Sequence, residues 1–163
     1  MKDFSAMSSQ VRIQNEDFDV GVELARMRES SPRTGALASF LGVVRDINDD
    51  RDVGGMHLEY YPGMTEKAIL RIVAEADARW DLHEVTVIHR VGELVPTDQI
   101  VLVAVGSAHR GEAFAACEYI MDFLKTRAPF WKRESGSLGA RWVKARVTDD
   151  EAASRWEEDA SAT

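Results

Sequence analysis

The strongest constraint on the fold is an uninterrupted apolar run, IVLVAVGS at 100–107, which leads into a helical pattern over about 111–127. Pro129 ends that helix, because proline lacks an amide proton and crowds the preceding turn. The inward stripe of the helix is predicted to consist of Phe114, Cys117, Met121 and Leu124. Since the apolar run has no polar face, it is expected to be a central strand in a sheet that is covered on both sides.

Hydrophobic periodicity predicts the other elements. Predicted strands lie at 10–18 (an edge strand), 57–61, 85–94 (half-buried), 130–134 and 141–146, and predicted helices at 19–29 and from Thr65, as N-cap, to about Trp80. Gly35 and Gly42 hint at bulges or close backbone approach, and the polar stretch 47–55 reads as a mobile loop. The tail from Asp149 is expected to form a short helix that ends in disorder. Because strands and helices do not alternate strictly, we expect one α+β domain over 1–163, with an antiparallel or mixed sheet.

Composition excludes several classes of protein. The one cysteine, Cys117, rules out an internal disulfide framework and a cysteine-based zinc site. No window reaches the roughly 18 apolar residues of a membrane span, and the start MKDFSAMSSQ does not read as a secretory signal. We therefore expect a cytoplasmic protein that does not contact a membrane.

Charge is distributed unevenly along the chain. The net charge of −8 argues against nonspecific binding of nucleic acid. The segment 125–146, however, carries +6, so the rest of the chain carries −14. This asymmetry indicates an anionic ligand near the segment, with a solvated basic face as the alternative.

Candidate catalytic residues follow the central strand. His109 and Arg110 stand where strand turns into helix, a position at which free backbone amides bind anions. Lys125 closes the helix and Lys132 follows Pro129. We expect Lys125 to be partly buried and to lie next to Lys132, Arg110 and Arg45. Neighbouring cations and partial burial lower the pKa of a lysine, so Lys125 could take a proton or accept an acyl group. Alternatively, Lys125 merely complements the helix dipole.

The sequence contains no pattern for a metal or a cofactor. HxxxH, HExxH, GxGxxG and GxxxxGK[ST] are absent from it. His89 is interpreted as a packed or hydrogen-bonded core histidine, and Cys117 as a small apolar residue rather than a nucleophile. We therefore predict neither a catalytic metal nor a bound cofactor.

Several segments together resemble the catalytic large subunit of molybdopterin synthase. They are FLGVVRD (40–46), LEYYPGMTEKA (58–68), VIHRVGEL (87–94), SAHRGEAFAA (107–116), MDFLKTRAPFWKRE (121–134) and RWVKAR (141–146). The resemblance spans roughly residues 10–156, and it departs from the family at 135–140, where SGSLGA replaces a loop that more often carries an acid. It implies an α/β-hammerhead-type fold with a small added β subdomain.

The resemblance also implies a reaction. Members of the family transfer sulfur to cyclic pyranopterin monophosphate and so form the dithiolene of molybdopterin. The sulfur arrives as a thiocarboxylate on the C-terminal Gly-Gly of a small ubiquitin-like carrier subunit. Two large subunits form a central homodimer with one carrier at each end, a heterotetramer.

Carried over by position, Lys125 resembles the catalytic lysine and Lys132 its partner. The substrate-binding residues that the resemblance implies are Val43, Val44, Arg45, His109, Arg110, Lys125, Lys132, Arg133, Glu134 and Arg146, the last from across the dimer. Rival hypotheses are a noncatalytic module that binds a phosphorylated ligand, a regulator of the pathway, and weak RNA binding by the basic segment.

Overall fold

The computed structural model describes residues 6–143 and 147–161. In chain order the elements are β1 Ser8–Gln14, α1 Val20–Ser30, β2 Ala36–Val43, β3 Ile47–Asn48, β4 Arg51–Asp52, β5 Gly55–Tyr60, α2 Met64–Arg79, β6 Leu82–Arg90, β7 Gly92–Leu94, β8 Gln99–Ser107, α3 Arg110–Arg127, β9 Phe130–Gly136, β10 Gly139–Val143 and α4 Val147–Ser161. This is the α+β architecture predicted from the sequence.

The main sheet has the strand order β1-β6-β8-β2. β1 runs parallel to β6, and the other pairs are antiparallel. The predictions that the first strand lies at an edge and that the apolar run is central and covered on both faces are confirmed. Helices α2 and α3 cover one face of β6 and β8, and α1 covers the other.

The half-buried strand predicted at 85–94 is wrong in two respects. β6 ends at Arg90, and a separate strand, β7, joins the second sheet. β6 is also covered on both faces, because α1 lies over its polar residues: Arg26 donates to Glu84 Oε1 at 2.5 Å and to Thr86 Oγ1 at 2.9 Å. The alternation that suggested a solvent-facing side comes from a buried polar cluster.

That cluster makes a testable contribution to stability. Glu84 is 3% exposed and also accepts from Ser30 Oγ at 2.5 Å. Replacing Glu84 with alanine is expected to lower the free energy of unfolding by about 2 kcal/mol, less than for a fully buried pair because Arg26 can turn partly to water. Urea unfolding measures this, with Glu84→Gln as the variant that keeps the shape. Full retention of stability by Glu84→Gln would contradict a charge-dependent role.

The second sheet has the order β10-β9-β5-β7 and is antiparallel throughout. Its small core consists of Val44, Met56, Leu58, Val91 and Leu94. The strands predicted at 130–134 and 141–146 correspond to β9 and β10, which pair with each other; residues 144–146 of the second prediction lie outside the described residues. This sheet is the smaller β unit of the fold, and it stands beside the main sheet.

The stretch 47–55 is a docked hairpin, so the mobile loop predicted there is wrong. β3 pairs with β4 through a turn in which Asp49 and Asp50 both have positive φ, 51° and 59°. A two-residue turn of this kind matches the twist of a hairpin, and aspartate tolerates the left-handed region better than most residues. Hydrophobic periodicity could not reveal this hairpin because each of its strands has only two residues.

Two predictions about the helices also need correction. Helix α2 begins at Met64, with the N–H of Gly63 donating to Glu66 Oε2 at 2.6 Å, so Thr65 is not the N-cap. Thr65 is buried and donates to the carbonyl of Pro129 at 3.0 Å. On α3, Phe114 is 64% exposed, and the neighbouring Ala113 faces the core instead.

The C-terminal tail forms a longer helix than predicted, α4, which packs on α3. Trp156 Nε1 donates to Asp122 Oδ2 at 2.7 Å. The predictions for the two early glycines are confirmed, because a Cβ at Gly35 would lie 2.3 Å from Ala108 O and one at Gly42 would lie 2.7 Å from a methyl group of Val101. No helix in the described ranges 6–143 and 147–161 is long and apolar enough to span a membrane.

Candidate active site

A cleft of about 510 Å³ opens between the two sheets. Its apolar walls come from Phe40, Val43, Met56, Ile100, Val101, Met121, Leu124 and Phe130. Its polar groups include Arg45, Lys125, Lys132 and Glu134. A second carboxylate, that of Asp149, also lines it, so the cleft combines an apolar wall with three cations and two carboxylates.

Local structure brings the two lysines into this cleft. Lys125 lies in the last turn of α3, and the segment around Pro129 reverses the chain into β9. Side chains alternate along a strand, so Phe130, Lys132 and Glu134 face the cleft. Lys125 is exposed at the rim, which differs from the partial burial expected from sequence.

The carboxylate of Glu134 is the most buried charge in the cleft. Glu134 is 4% exposed, and Lys132 Nζ lies 3.4 Å from its Oε1. Asn48 Nδ2 donates to both oxygens, at 2.8 and 3.0 Å, and Arg141 Nη2 lies 3.7 Å from Oε2. These contacts fix the carboxylate of Glu134 in place beside Lys132.

Arg45 reaches the cleft from the end of β2. Val43 and Arg45 line it, whereas the intervening Val44 is 3% exposed and packs in the core of the second sheet. The N–H of Val44 donates to Asp98 O at 2.9 Å. The family resemblance implies three site residues in this segment. Val43 and Arg45 face the cleft, and Val44 fixes the backbone between them.

His89 lines the cleft, a position that sequence reasoning missed. Its ring stacks on Phe130 with centroids 3.9 Å apart. Burial, with a smaller contribution from the charge of Lys125, lowers the pKa of His89 to about 4. Nδ1 lies 2.8 Å from the carbonyl of Arg90, which can only accept, so Nδ1 carries the proton and the ring is neutral. The predicted packed histidine is therefore also a wall of the cleft.

Other predicted site residues lie elsewhere. Arg110 precedes Lys125 by fifteen positions on α3, about 22 Å along the helix axis. His109 and Arg110 are exposed at that far end and do not line the cleft, so the predicted effect of Arg110 on Lys125 is wrong within one chain. Arg133 points to the opposite face of β9, 5.9 Å from the ring of Trp142, and does not flank the cleft. Arg146 lies outside the described residues.

The cleft residues that sequence reasoning missed are mostly uncharged. Besides His89 they include Asn48, Phe40 and Met121.

Cys117 behaves as predicted: burial raises the pKa of its thiol to about 11, which keeps it protonated and unreactive at neutral pH. Chemically, the arrangement suits an anion with an apolar or planar body, bound beside the amines of Lys125 and Lys132.

Comparison with known proteins identifies the family of this chain. The family model described as MoaE protein matches residues 13–127. The molybdopterin synthase catalytic subunit of Ralstonia nicotianae is 63% identical over 146 residues, 90% of this chain and 83% of that protein. The Escherichia coli protein of the same name is 55% identical over 139 residues, covering 85% and 92% of the two chains.

Solved structures show the same fold. The MoaE protein of Burkholderia ambifaria superimposes with a TM-score of 0.79 at 54% identity and covers 93% of this chain and 99% of its own. The Staphylococcus aureus molybdopterin synthase has a TM-score of 0.75 at 30% identity, with 82% and 96% covered. A Helicobacter pylori complex of subunits 1 and 2 of molybdopterin-converting factor shares the fold alone, with a TM-score of 0.69 at 20% identity, covering 83% and 91%. The resemblance seen in the motifs is thereby confirmed, and the chain belongs to the MoaE protein family, that of the molybdopterin synthase catalytic subunits.

Proposed function

We propose that this chain transfers sulfur from a thiocarboxylated carrier protein to cyclic pyranopterin monophosphate and forms the dithiolene of molybdopterin. The observation that carries the proposal is that Lys125 and Lys132 line one cleft together with Arg45. A cyclic phosphate requires cations, and guanidinium can grip phosphate through two parallel hydrogen bonds. The apolar wall beside these cations offers the pterin body a surface to pack on.

Lys125 is the group proposed to act on the reacting atoms. Its exposed position at the rim leaves the amine accessible to a protein tail that enters the cleft. There it would take a proton from the attacking group. Alternatively, once the carrier's thiocarboxylate sulfur has bonded to the pterin, the amine would attack the resulting thioester carbonyl; the C–S bond breaks, the sulfur stays on the pterin, and water then hydrolyses the amide formed with the carrier's terminal glycine. Lys132, held by Glu134, would bind the phosphate or steady the charge that develops on the substrate.

The proposed partner is a small ubiquitin-like carrier whose C-terminal Gly-Gly bears the thiocarboxylate. The Helicobacter pylori protein of the same fold occurs in a two-subunit complex, and we propose the corresponding assembly here. The carrier tail is anionic, so the +6 segment 125–146 would attract it despite the negative charge of the whole chain. The free Cys117 fits a reducing compartment, and we place the activity in the cytoplasm.

We further propose a homodimer, and with two carriers a heterotetramer. His109 and Arg110 lie at the far end of α3 from Lys125. If they bind the same substrate, as the family resemblance implies, they must do so from a second copy of the chain. For Arg146, which lies outside the described residues, a role across the dimer is what the family resemblance implies.

Reconstitution tests the proposed function. Incubation of this chain with cyclic pyranopterin monophosphate and thiocarboxylated carrier is expected to yield a pterin that has gained two sulfur atoms, measured by mass spectrometry. Carrier with an ordinary C-terminal carboxylate is the control and should give no product. Calorimetric binding of the precursor without turnover would contradict the proposal and favour a noncatalytic module, whereas binding of RNA with steep salt dependence would favour the nucleic-acid alternative.

A further inference from the structure

We propose that Asn48, on the hairpin β3–β4, is a positioning residue that holds Arg45 directly and sets Lys132 in place through Glu134. This inference rests on the proposed function, because it concerns the same cleft. It assigns a role to a segment whose polar sequence reads as a loop. Asn48 is 6% exposed, an unusual degree of burial for an amide in a surface hairpin.

The side-chain amide of Asn48 bridges a cation and an anion. Its Oδ1 accepts from Arg45 Nη2 at 3.4 Å, and its Nδ2 donates to both oxygens of Glu134. Asparagine is suited to this place because one amide group both accepts and donates, whereas aspartate at neutral pH can only accept. The bridge links residues 86 positions apart in the chain.

The bridge also affects how tightly Glu134 holds Lys132. A close ammonium–carboxylate contact measures roughly 2.7–2.9 Å, but Lys132 Nζ stands 3.4 Å from Glu134 Oε1. Asn48 occupies a lone pair on each oxygen of that carboxylate. Lys132 is therefore retained near Glu134 without being locked to it, and its ammonium group can turn toward an anionic substrate.

Contacts between the hairpin β3–β4 and the second sheet fix the backbone of Asn48. Arg141 Nη2 donates to the carbonyl of Asn48 at 3.2 Å. On the other strand, both the N–H and the hydroxyl of Ser137 donate to the carboxylate of Asp52, and these bonds lower the pKa of Asp52. Gly136 permits this contact, because a Cβ there would lie 2.0 Å from Asp52 O. The loop 135–140, where the sequence departs from its family, thus anchors the hairpin that carries Asn48.

Steady-state kinetics with the assembled enzyme and saturating thiocarboxylated carrier test the inference. Asn48→Ala is expected to raise the KM for the precursor and lower kcat/KM at least about ten-fold, because the hydrogen bonds to Arg45 and to both oxygens of Glu134 are lost and each hydrogen bond to a charged group can contribute this much. Asn48→Asp is expected to lose more, because it places a second carboxylate beside Glu134. Asp50→Asn, at the exposed turn of the same hairpin, is the control and should behave as wild type.

The readouts separate positioning from simple destabilisation. A structural role alone would lower the unfolding temperature and the apparent kcat together and would leave KM unchanged, and that result would overturn the inference. The inference would also be overturned if the wild-type enzyme were active and the KM and kcat/KM of Asn48→Ala lay within two-fold of its values.

A crystal structure of Asn48→Ala provides a test that does not depend on activity. The Lys132–Glu134 distance is expected to shorten from 3.4 Å toward a close ion pair, and an unchanged distance would refute the proposed bridge. If the wild-type chain showed no turnover at all, the proposed function would fail, while this distance would still decide the role of Asn48.

Discussion

Replacing Lys125 with alanine is expected to lower the rate of precursor conversion by roughly two to four orders of magnitude, the usual contribution of a positioned acid–base group. The same loss follows if the amine accepts an acyl group. Because the side chain is exposed at the rim of the cleft, the fold and carrier binding should remain largely intact. Single-turnover rates, thermal unfolding and calorimetry with the carrier measure the three effects. Full activity of Lys125→Ala would end the catalytic assignment.

A matched control separates this role from helix-dipole stabilisation. Arg127 lies in the same last turn of α3 but pairs with Glu75 at 2.6 Å, away from the cleft. Arg127→Ala removes the same charge from the helix end, so it should lose some stability but retain turnover. Lys125→Arg keeps the charge but not a removable proton, and it should be as slow as alanine. Mass spectrometry for an amide between Lys125 and the carrier's terminal glycine then distinguishes a base from an acyl acceptor.

Acidification is expected to destabilise the protein through His89 by about 3 kcal/mol, the equivalent of its lowered pKa. In the unfolded chain this histidine takes up a proton near its ordinary pKa of 6.5, whereas in the folded protein it does so only at about 4. Between these values the unfolded state binds more protons. The stabilisation is therefore present above about pH 6.5, declines as the pH falls, and is lost below about 4.

Urea unfolding across this pH range measures the effect. Because many carboxylates also titrate there, the informative quantity is the difference between wild type and His89→Gln, which cannot titrate at this position. The advantage of wild type is expected to shrink steadily from pH 7 to pH 4. If the free energies of unfolding of the two proteins changed in parallel with pH, the ring of His89, which stacks on Phe130, would not be held neutral in the folded protein.

Local patterns predicted the elements that depend on neighbours in sequence. The uninterrupted run at 100–107 became the central strand β8, and Pro129 separates α3 from β9. That reversal is why Lys125 and Lys132 could be paired from the sequence. By contrast, the burial of the second face of β6 could not be predicted. Its polar residues Glu84 and Thr86 would normally lie at the surface, but Arg26 from α1 forms hydrogen bonds with both.

The part of the site that sequence could not supply depends on long-range contacts. Asn48 meets Glu134 across 86 positions, and His89 meets Phe130 between two sheets. Periodicity reports which side of an element is apolar, but it does not report which other element covers that side. Arg133 illustrates the limit: it adjoins Lys132 in sequence, yet strand alternation places it on the opposite face, against Trp142.

The sequence by itself determined the fold class, the family and the pair of lysines, because these follow from local periodicity, from a helix-ending proline and from long motifs. Only the tertiary structure decided which charges share the cleft. It separates His109 and Arg110 from Lys125 by most of the length of a rigid helix, and it brings Asn48 in from a hairpin that no periodic pattern reveals. The physical reason is that electrostatic and hydrogen-bonding partners are set by distance in space, and that distance is fixed only when the two sheets pack together.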